Sequence, residues 1–443
     1  MKEKTIKKAN IRKIALELLM SYEAGERYVN LLLSSPKTAS LSREESAALT
    51  ALLYTTVERK LTYDYFICAI SGRSIDKISP RAQNILRLGL CQLLHMDSVP
   101  DFAAVSESVK LCGSPSERGF VNAVLRRASD LKGNLPYPKR EKNEARYLSV
   151  FYSFPQPLVK HFIGLVGVGD AELLLKAMSE EPPLTLTVNT EKTDREKLVL
   201  RLGSLDPVLS TYTDCGIKIQ KKIPPRSIGG FDEGDFFVQD EASELAVSLL
   251  GIDKGMKIAD VCAAPGGKSF LAAMKTGKSG CVYSFDIHES KLSLIEEGAR
   301  RLGLSNIKVG VNDAERPSDE LIGQMDRVIC DVPCSGLGVL AKKPDLRYKD
   351  LSALKTLPQL QYSILEASVR YLKTGGIIGY STCTLNPDEN EKVTDRFIEE
   401  HPDFEYVTRE VAGIGCVNGK LTLYPHIHGT DGFYISIMRK KDL

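Results

Sequence analysis

With 443 residues the chain is too long for a single hydrophobic core, so two or three domains are expected. Its hydrophobic (43%) and charged (26%) fractions are those of an ordinary soluble protein, and no apolar run approaches the roughly 20 residues of a membrane helix. The net charge of +2 hides an asymmetry: residues 1–150 hold 24 Lys and Arg against 16 Asp and Glu, while the remainder holds 35 against 41. A basic module on a slightly acidic body suits a polyanionic partner, although a solvated helix surface would look the same.

The basic N-terminus, MKEKTIKKANIRKIALELLM, has charges between its apolar positions and reads as an amphipathic helix, not a signal peptide. Without a secretion signal, the ten scattered cysteines read as reduced thiols of a cytoplasmic protein. Ile11, Ile14, Ala15, Leu18 and Leu19 share one helix face. Ser42 and Glu45 form a capping box, and Ser79-Pro80 opens another helix, RAQNILRLGLCQLL. GFVNAVLRRASDL carries Arg126 and Arg127 on a further helix. Residues 1–140 are therefore expected to form an all-α bundle. The Pro, Gly and charge of 133–145 mark a linker. In 146–235 the stretches LTLTVNT and GIKIQKKI read as strands and DREKLVLRLG as a helix, which predicts a small α+β subdomain.

From 236 to 443 the pattern becomes regular. MKIADVC, CVYSFDI, IKVGVND, MDRVICDV, GGIIGYSTC and FYISIMR are strand-like, with helical stretches between most of them. Such alternation predicts a doubly wound, Rossmann-like α/β domain, with ligands at the carboxyl ends of the strands. Those ends carry the polar residues of interest. After the first strand comes a Gly-rich turn, Cys262, Ala263, Ala264, Pro265, Gly266, Gly267 and Lys268. It lacks the first Gly of a nucleotide phosphate loop and the spacing of the dinucleotide fingerprint. Asp286, about 20 residues further on, suits ribose hydroxyls, and Asp313 suits an adenine edge. Together they suggest an adenosine ligand without a pyrophosphate. The fourth strand leads into Asp331 and Cys334, and the fifth ends at Cys383, so two thiols should face one cleft. Cys330 and Cys334 have no second Cys or His pair nearby, which argues against zinc, and no metal is expected.

DVCAAPGGKS, DVPCSG, YSTCT with NPDENE, and GTDGFYISIMRK resemble the RNA cytosine-C5 methyltransferases, as does VQDEAS. SPRAQNILRLGLCQLL and GFVNAVLRR resemble the NusB-type RNA-binding helical domain. The resemblance implies S-adenosylmethionine as methyl donor, with residues 262–268 at its methionine and ribose end. It places Asp286 on the ribose, Asp313 on the adenine and Asp331 at the methyl-donor end. Cys383 would be the nucleophile and Cys334 would help release the product. The domain order implies 16S ribosomal RNA, unassembled or partly assembled, as the partner of a monomer. The same chemistry on transfer RNA, or a non-catalytic assembly factor, are the alternatives. The chain departs from the family in having no tryptophan, in Thr187 before the Val-Asn step, and in Lys342-Lys343 where an arginine pair is common; lysine contacts phosphate as a point charge, without the bidentate fork.

Two cysteines suit this chemistry. The cytosine C5 carbon is too weak a nucleophile alone, and thiolate addition at C6 makes it enamine-like. A free thiol is only a few per cent thiolate at neutral pH. No His flanks either cysteine, and the sequence names no activating group.

Overall fold

The computed structural model describes residues 10–25, 29–221, 223–349 and 355–442. Residues 1–9 of the expected N-terminal helix lie outside them. The chain divides into two compact units, 1–179 with 343–349, and 180–342 with 350–443.

The first unit is all-α, as expected. Its central helix, Pro80–His95, starts on the Ser79 cap with proline in its first turn. It buries Ile85, Leu86, Leu88, Leu90 and Leu93, so it is covered on nearly all sides. Arg87 is buried there too and forms a bidentate pair with Asp64 at 2.6 and 2.8 Å, which satisfies the fork of the guanidinium. The capping box at Ser42 and Glu45 is present, and Arg126 and Arg127 are exposed.

The division differs from the expected one in two places. Helices Glu144–Tyr152, Gln156–Val166 and Val168–Ala177 were expected in the α+β subdomain but belong to the first unit. Buried hydrogen bonds hold them there: Thr62 Oγ1 donates to Val150 O at 2.5 Å, and Leu61 N to Ser153 Oγ at 3.1 Å. Composition marked the polar linker at 133–145, but apolar Leu148, Phe154, Leu158 and Phe162, all buried, carry the packing past it. The segment 343–349 also joins this unit. Its Arg347 is fully buried, donates to Met178 O at 2.7 Å and lies 4.0 Å from the Phe154 ring. Lys343 is therefore part of a packed segment of this unit.

In the second unit, strands β1 (Leu184–Val188), β2 (Pro207–Leu209), β3 (Gly216–Ile219) and β4 (Phe236–Val238) form an antiparallel sheet ordered β2-β3-β1-β4. Thr187 faces inward, and its hydroxyl lies 3.2 Å from Glu244 Oε2. The larger sheet contains all six expected strands. These are β5 (Lys257–Asp260), β6 (Cys281–Asp286), β7 (Ile307–Val311), β8 (Met325–Asp331), β9 (Leu372–Thr382) and, after four short strands, β14 (Phe433–Lys440). Two of the short ones, β10 (Phe404–Tyr406) and β13 (Lys420–Leu423), flank β14, while β11 (Arg409–Val411) and β12 (Ile414–Cys416) make a separate hairpin. The order is β10-β14-β9-β8-β5-β6-β7, with β14 antiparallel to β9 and the central strands parallel. The winding reverses between β5 and β8. A doubly wound sheet opens its ligand crevice at that place. The two sheets of this unit share one core, with Leu186, Ile217 and Phe236 in the same cluster as Leu245, Ile258 and Leu271.

Candidate active site

Every residue singled out in the sheet domain falls at a carboxyl end of β5 to β9. The turn after β5 runs from Cys262 to the helix Gly267–Thr276. Gly266 has φ +114°, and a Cβ there would stand 2.5 Å from the Phe270 ring, so only glycine fits. No side chain caps this helix, so its first N–H groups have no side-chain acceptor at the cap. Ala263 N donates to Phe285 O at 2.7 Å, tying the turn to β6. Asp286 ends β6, is buried, and accepts from His288 N at 2.9 Å. Asp313 stands two residues past β7, partly exposed, and accepts from Glu315 N at 3.1 Å.

The turn and the β8 end meet at Lys268. Its Nζ lies 2.7 Å from Asp331 Oδ2, and Asp331 Oδ1 accepts from Ser381 Oγ at 2.7 Å. Ser381 is the register partner of Asp331 on the neighbouring β9, so the parallel pairing itself sets this contact. Burial disfavours the lysine's charge, but Asp331, then Asp260 and Cys383, more than offset it, and its pKa stands above the usual value.

Two residues beyond Ser381 is Cys383, and its sulfur lies 3.2 Å from Cys334 Sγ. The backbones interlock as well: Gly338 N donates to Cys383 O at 2.9 Å, and Gly432 N to Gly338 O at 2.9 Å. A Cβ on Gly338 would stand 1.8 Å from Gly432 O, so this close approach requires glycine. The hydrogen bond with Cys383, then burial, raises the Cys334 thiol well above its ordinary pKa. Burial raises Cys262 in the same direction and pushes Cys330 up to about 12.

Three functional features were not visible in the sequence. Lys268, expected only at the cofactor, also interacts electrostatically with Cys383. Glu389 and Asn390 of the NPDENE stretch are buried and bond into both thiol loops, and no role was read for either from the sequence. Asp260, at the end of β5, is buried beneath the site. Its Oδ2 accepts from Ser269 Oγ at 2.7 Å, its Oδ1 has no partner, and burial raises its pKa to about 7. Among the described residues one other group has metal-like spacing, Asp214, Cys215 and Glu244. Cys215 Sγ donates to Glu244 Oε1 at 3.0 Å, and burial, then Glu244, pushes the thiol far up, which suits a protonated pair.

A raised carboxyl pKa has a definite sign. Between its unfolded value near 4 and its folded value of about 7, Asp260 binds a proton in the folded state that the unfolded state gives up. Its contribution is therefore lost as pH rises through that window. At about 1.4 kcal/mol per tenfold change in proton affinity, the difference is of the order of 4 kcal/mol. Asp260→Asn should flatten the fall in stability between pH about 4 and 7. Denaturant unfolding at several pH values checks this, and parallel curves for the two proteins would refute it.

Lys342 does not offer its charge to a phosphate. Its Nζ lies 2.5 Å from Asp240 Oδ2 and 2.7 Å from Asp431 Oδ2, fastening the VQDEAS and GTDGF stretches together.

This geometry has relatives. Residues 247–439 match the model of the 16S rRNA methyltransferase RsmB/F family, and 9–130 that of the NusB family. The chain is 36% identical to the probable ribosomal RNA small subunit methyltransferase B of Bacillus subtilis (strain 168), over 98% of this chain and 100% of that one. It is 33% identical to the protein of that name from Synechocystis sp. (strain ATCC 27184 / PCC 6803 / Kazusa), over 97% and 99%. The solved structure of PH0851 is 26% identical, covers 98% of each chain and superposes with a TM-score of 0.79. A NusB-type bundle followed by a doubly wound domain, with two thiols beside a lysine–aspartate pair at its switch point, thus belongs to the RsmB/F family of methyltransferases.

Proposed function

We propose that this protein transfers a methyl group from S-adenosylmethionine to C5 of a cytosine in 16S ribosomal RNA, through a covalent bond between Cys383 and C6. The observation that carries this reading is the pair of sulfurs 3.2 Å apart, beside Lys268 and Asp331, at the ends of adjacent strands.

The Gly-rich turn, the open helix start and Asp286 fit the methionine and ribose of the donor, and Asp313 the adenine. S-adenosylmethionine supplies an electrophilic methyl group. The protein's own groups do the rest. Lys268 lends positive charge to the thiol site and favours Cys383 as thiolate. A lone pair of the Cys383 sulfur forms the S–C6 bond, and the displaced C5–C6 π electrons make C5 the nucleophile that takes the methyl group, the donor's S–CH3 bond breaking to leave S-adenosylhomocysteine. The C5 proton then passes to water, its electrons restore the C5–C6 double bond, and Cys383 leaves as thiolate. Cys334 is placed to donate a hydrogen bond to that leaving sulfur. The target base must leave its stack to reach the strand ends. The basic residues of 1–150, Arg126 and Arg127 among them, would grip the surrounding RNA through phosphates, in the cytoplasm.

Nucleoside mass spectrometry of 16S RNA from cells with and without the gene tests this reading. One 5-methylcytidine should vanish without the gene. A lost methyl mark on another base, or on transfer RNA alone, would reject it. The cofactor assignment has its own test. Asp286→Ala should weaken S-adenosylmethionine binding about tenfold or more, for loss of a buried charged acceptor, with little change in melting temperature. Unchanged affinity by calorimetry would remove Asp286 from the site.

A further inference from the structure

The hydrogen bond between the two thiols is shared by groups of the same chemistry, so the sulfurs alone do not decide which keeps the proton. Their surroundings differ. Glu389 is fully buried, and its Oε2 accepts from Ser335 N, the residue after Cys334, at 2.8 Å. The same oxygen accepts from Gln361 Nε2 at 3.0 Å, and Gln361 Nε2 also donates to Pro333 O, the residue before Cys334, at 2.9 Å. Oε1 accepts from Asn386 Nδ2 at 3.1 Å, on the loop that follows Cys383. No Lys, Arg or His among the described residues pairs with this carboxylate. Both oxygens accept, from Ser335 N, Gln361 Nε2 and Asn386 Nδ2, which a carboxylate does and an amide of the same size does not. Its partners are neutral, so a carboxylate that is costly to bury without a cation leaves negative charge beside the thiol pair. Glu389 is bonded to both chain neighbours of Cys334, to Ser335 directly and to Pro333 through Gln361, whereas the ammonium of Lys268 acts on Cys383.

We propose that Glu389 is a positioning residue that fixes the proton of the thiol pair on Cys334, so that Cys383 Sγ is the acceptor of their hydrogen bond and the sulfur that attacks. The proposal rests on the function proposed above and says how the protein tells its two cysteines apart. A carboxylate near Cys334 disfavours a second negative charge there. The proton stays on Cys334, and the S–H bond points at Cys383. The roles of attack and release then follow from where the fixed charges sit.

Alkylation of the full-length protein by iodoacetamide, followed peptide by peptide from pH 6 to 10, tests it. In the wild type Cys383 should titrate at lower pH than Cys334; the reverse order overturns the proposal whether or not any variant folds. In Glu389→Gln the Cys334 rate near pH 8 should rise about tenfold, as a fall of one pH unit in its midpoint requires. Glu389→Asp keeps the charge and should keep the wild-type midpoint. An unmoved Cys334 midpoint in Glu389→Gln overturns the proposal. So does an equal gain at both cysteines at every pH, which is the mark of a loosened loop. A wild-type protein that methylates no RNA would instead defeat the proposed function, and the thiol titration would still read out the proton.

Discussion

Cys383→Ala should methylate nothing and form no protein–RNA species, while Cys334→Ala should accumulate one that survives denaturing gel electrophoresis. The two outcomes follow from the order of events. Without the sulfur on β9, no bond to C6 forms, C5 never becomes nucleophilic, and methylation falls by more than ~10⁴-fold. Without the sulfur 3.2 Å away, attack and methyl transfer proceed, but the leaving thiolate loses its hydrogen-bond donor. The double variant should give no adduct, because attack precedes release. A stable adduct in Cys383→Ala and none in Cys334→Ala would reverse the assignment. Full activity in both would make the thiols structural.

Lys268→Met should lower the rate by about 10²–10³-fold, the scale seen when a preorganised electrostatic contact is removed. Two effects combine. Cys383 loses the cation that favours its thiolate, so the pH–rate profile should move to higher pH. Asp331 loses its ion pair at 2.7 Å and keeps only Ser381. Lys268 and Asp331 side chains are 12% and 29% exposed, so water repairs part of that loss, and the stability cost should be about 1–3 kcal/mol. Adding Asp331→Asn should recover stability and leave activity low. Activity within threefold of wild type in Lys268→Met would remove the lysine from the mechanism.

The legible part of this protein was what period and composition encode. Alternation of strand and helix placed all six strands of the sheet, because parallel strands buried on both faces read as apolar runs. Each chemical residue then had an address at a strand end, and Asp331 and Cys383 came together because β8 and β9 pair in register. The edge strands β10 and β13 went unread, being three or four residues long with little periodicity. The boundary after 140 was misjudged because a Pro-rich polar stretch marks flexibility of sequence, not the end of packing; Val150 and Ser153 are bonded to the preceding bundle. Lys342 looked like a phosphate contact because its two aspartates lie 102 and 89 residues away. Glu389 went unread because nothing local announces that a carboxylate is buried. Long-range pairing decides these cases, and one chain's spacing does not contain it.

The most direct measurement uses RNA carrying 5-fluorocytidine at the target position. Fluorine at C5 cannot leave as a proton, so the wild-type enzyme should be trapped after methyl transfer, and peptide mapping should find the nucleotide on Cys383. A trap on Cys334 would overturn Cys383 as the nucleophile, and no trap from an enzyme that still methylates ordinary RNA would contradict the covalent mechanism.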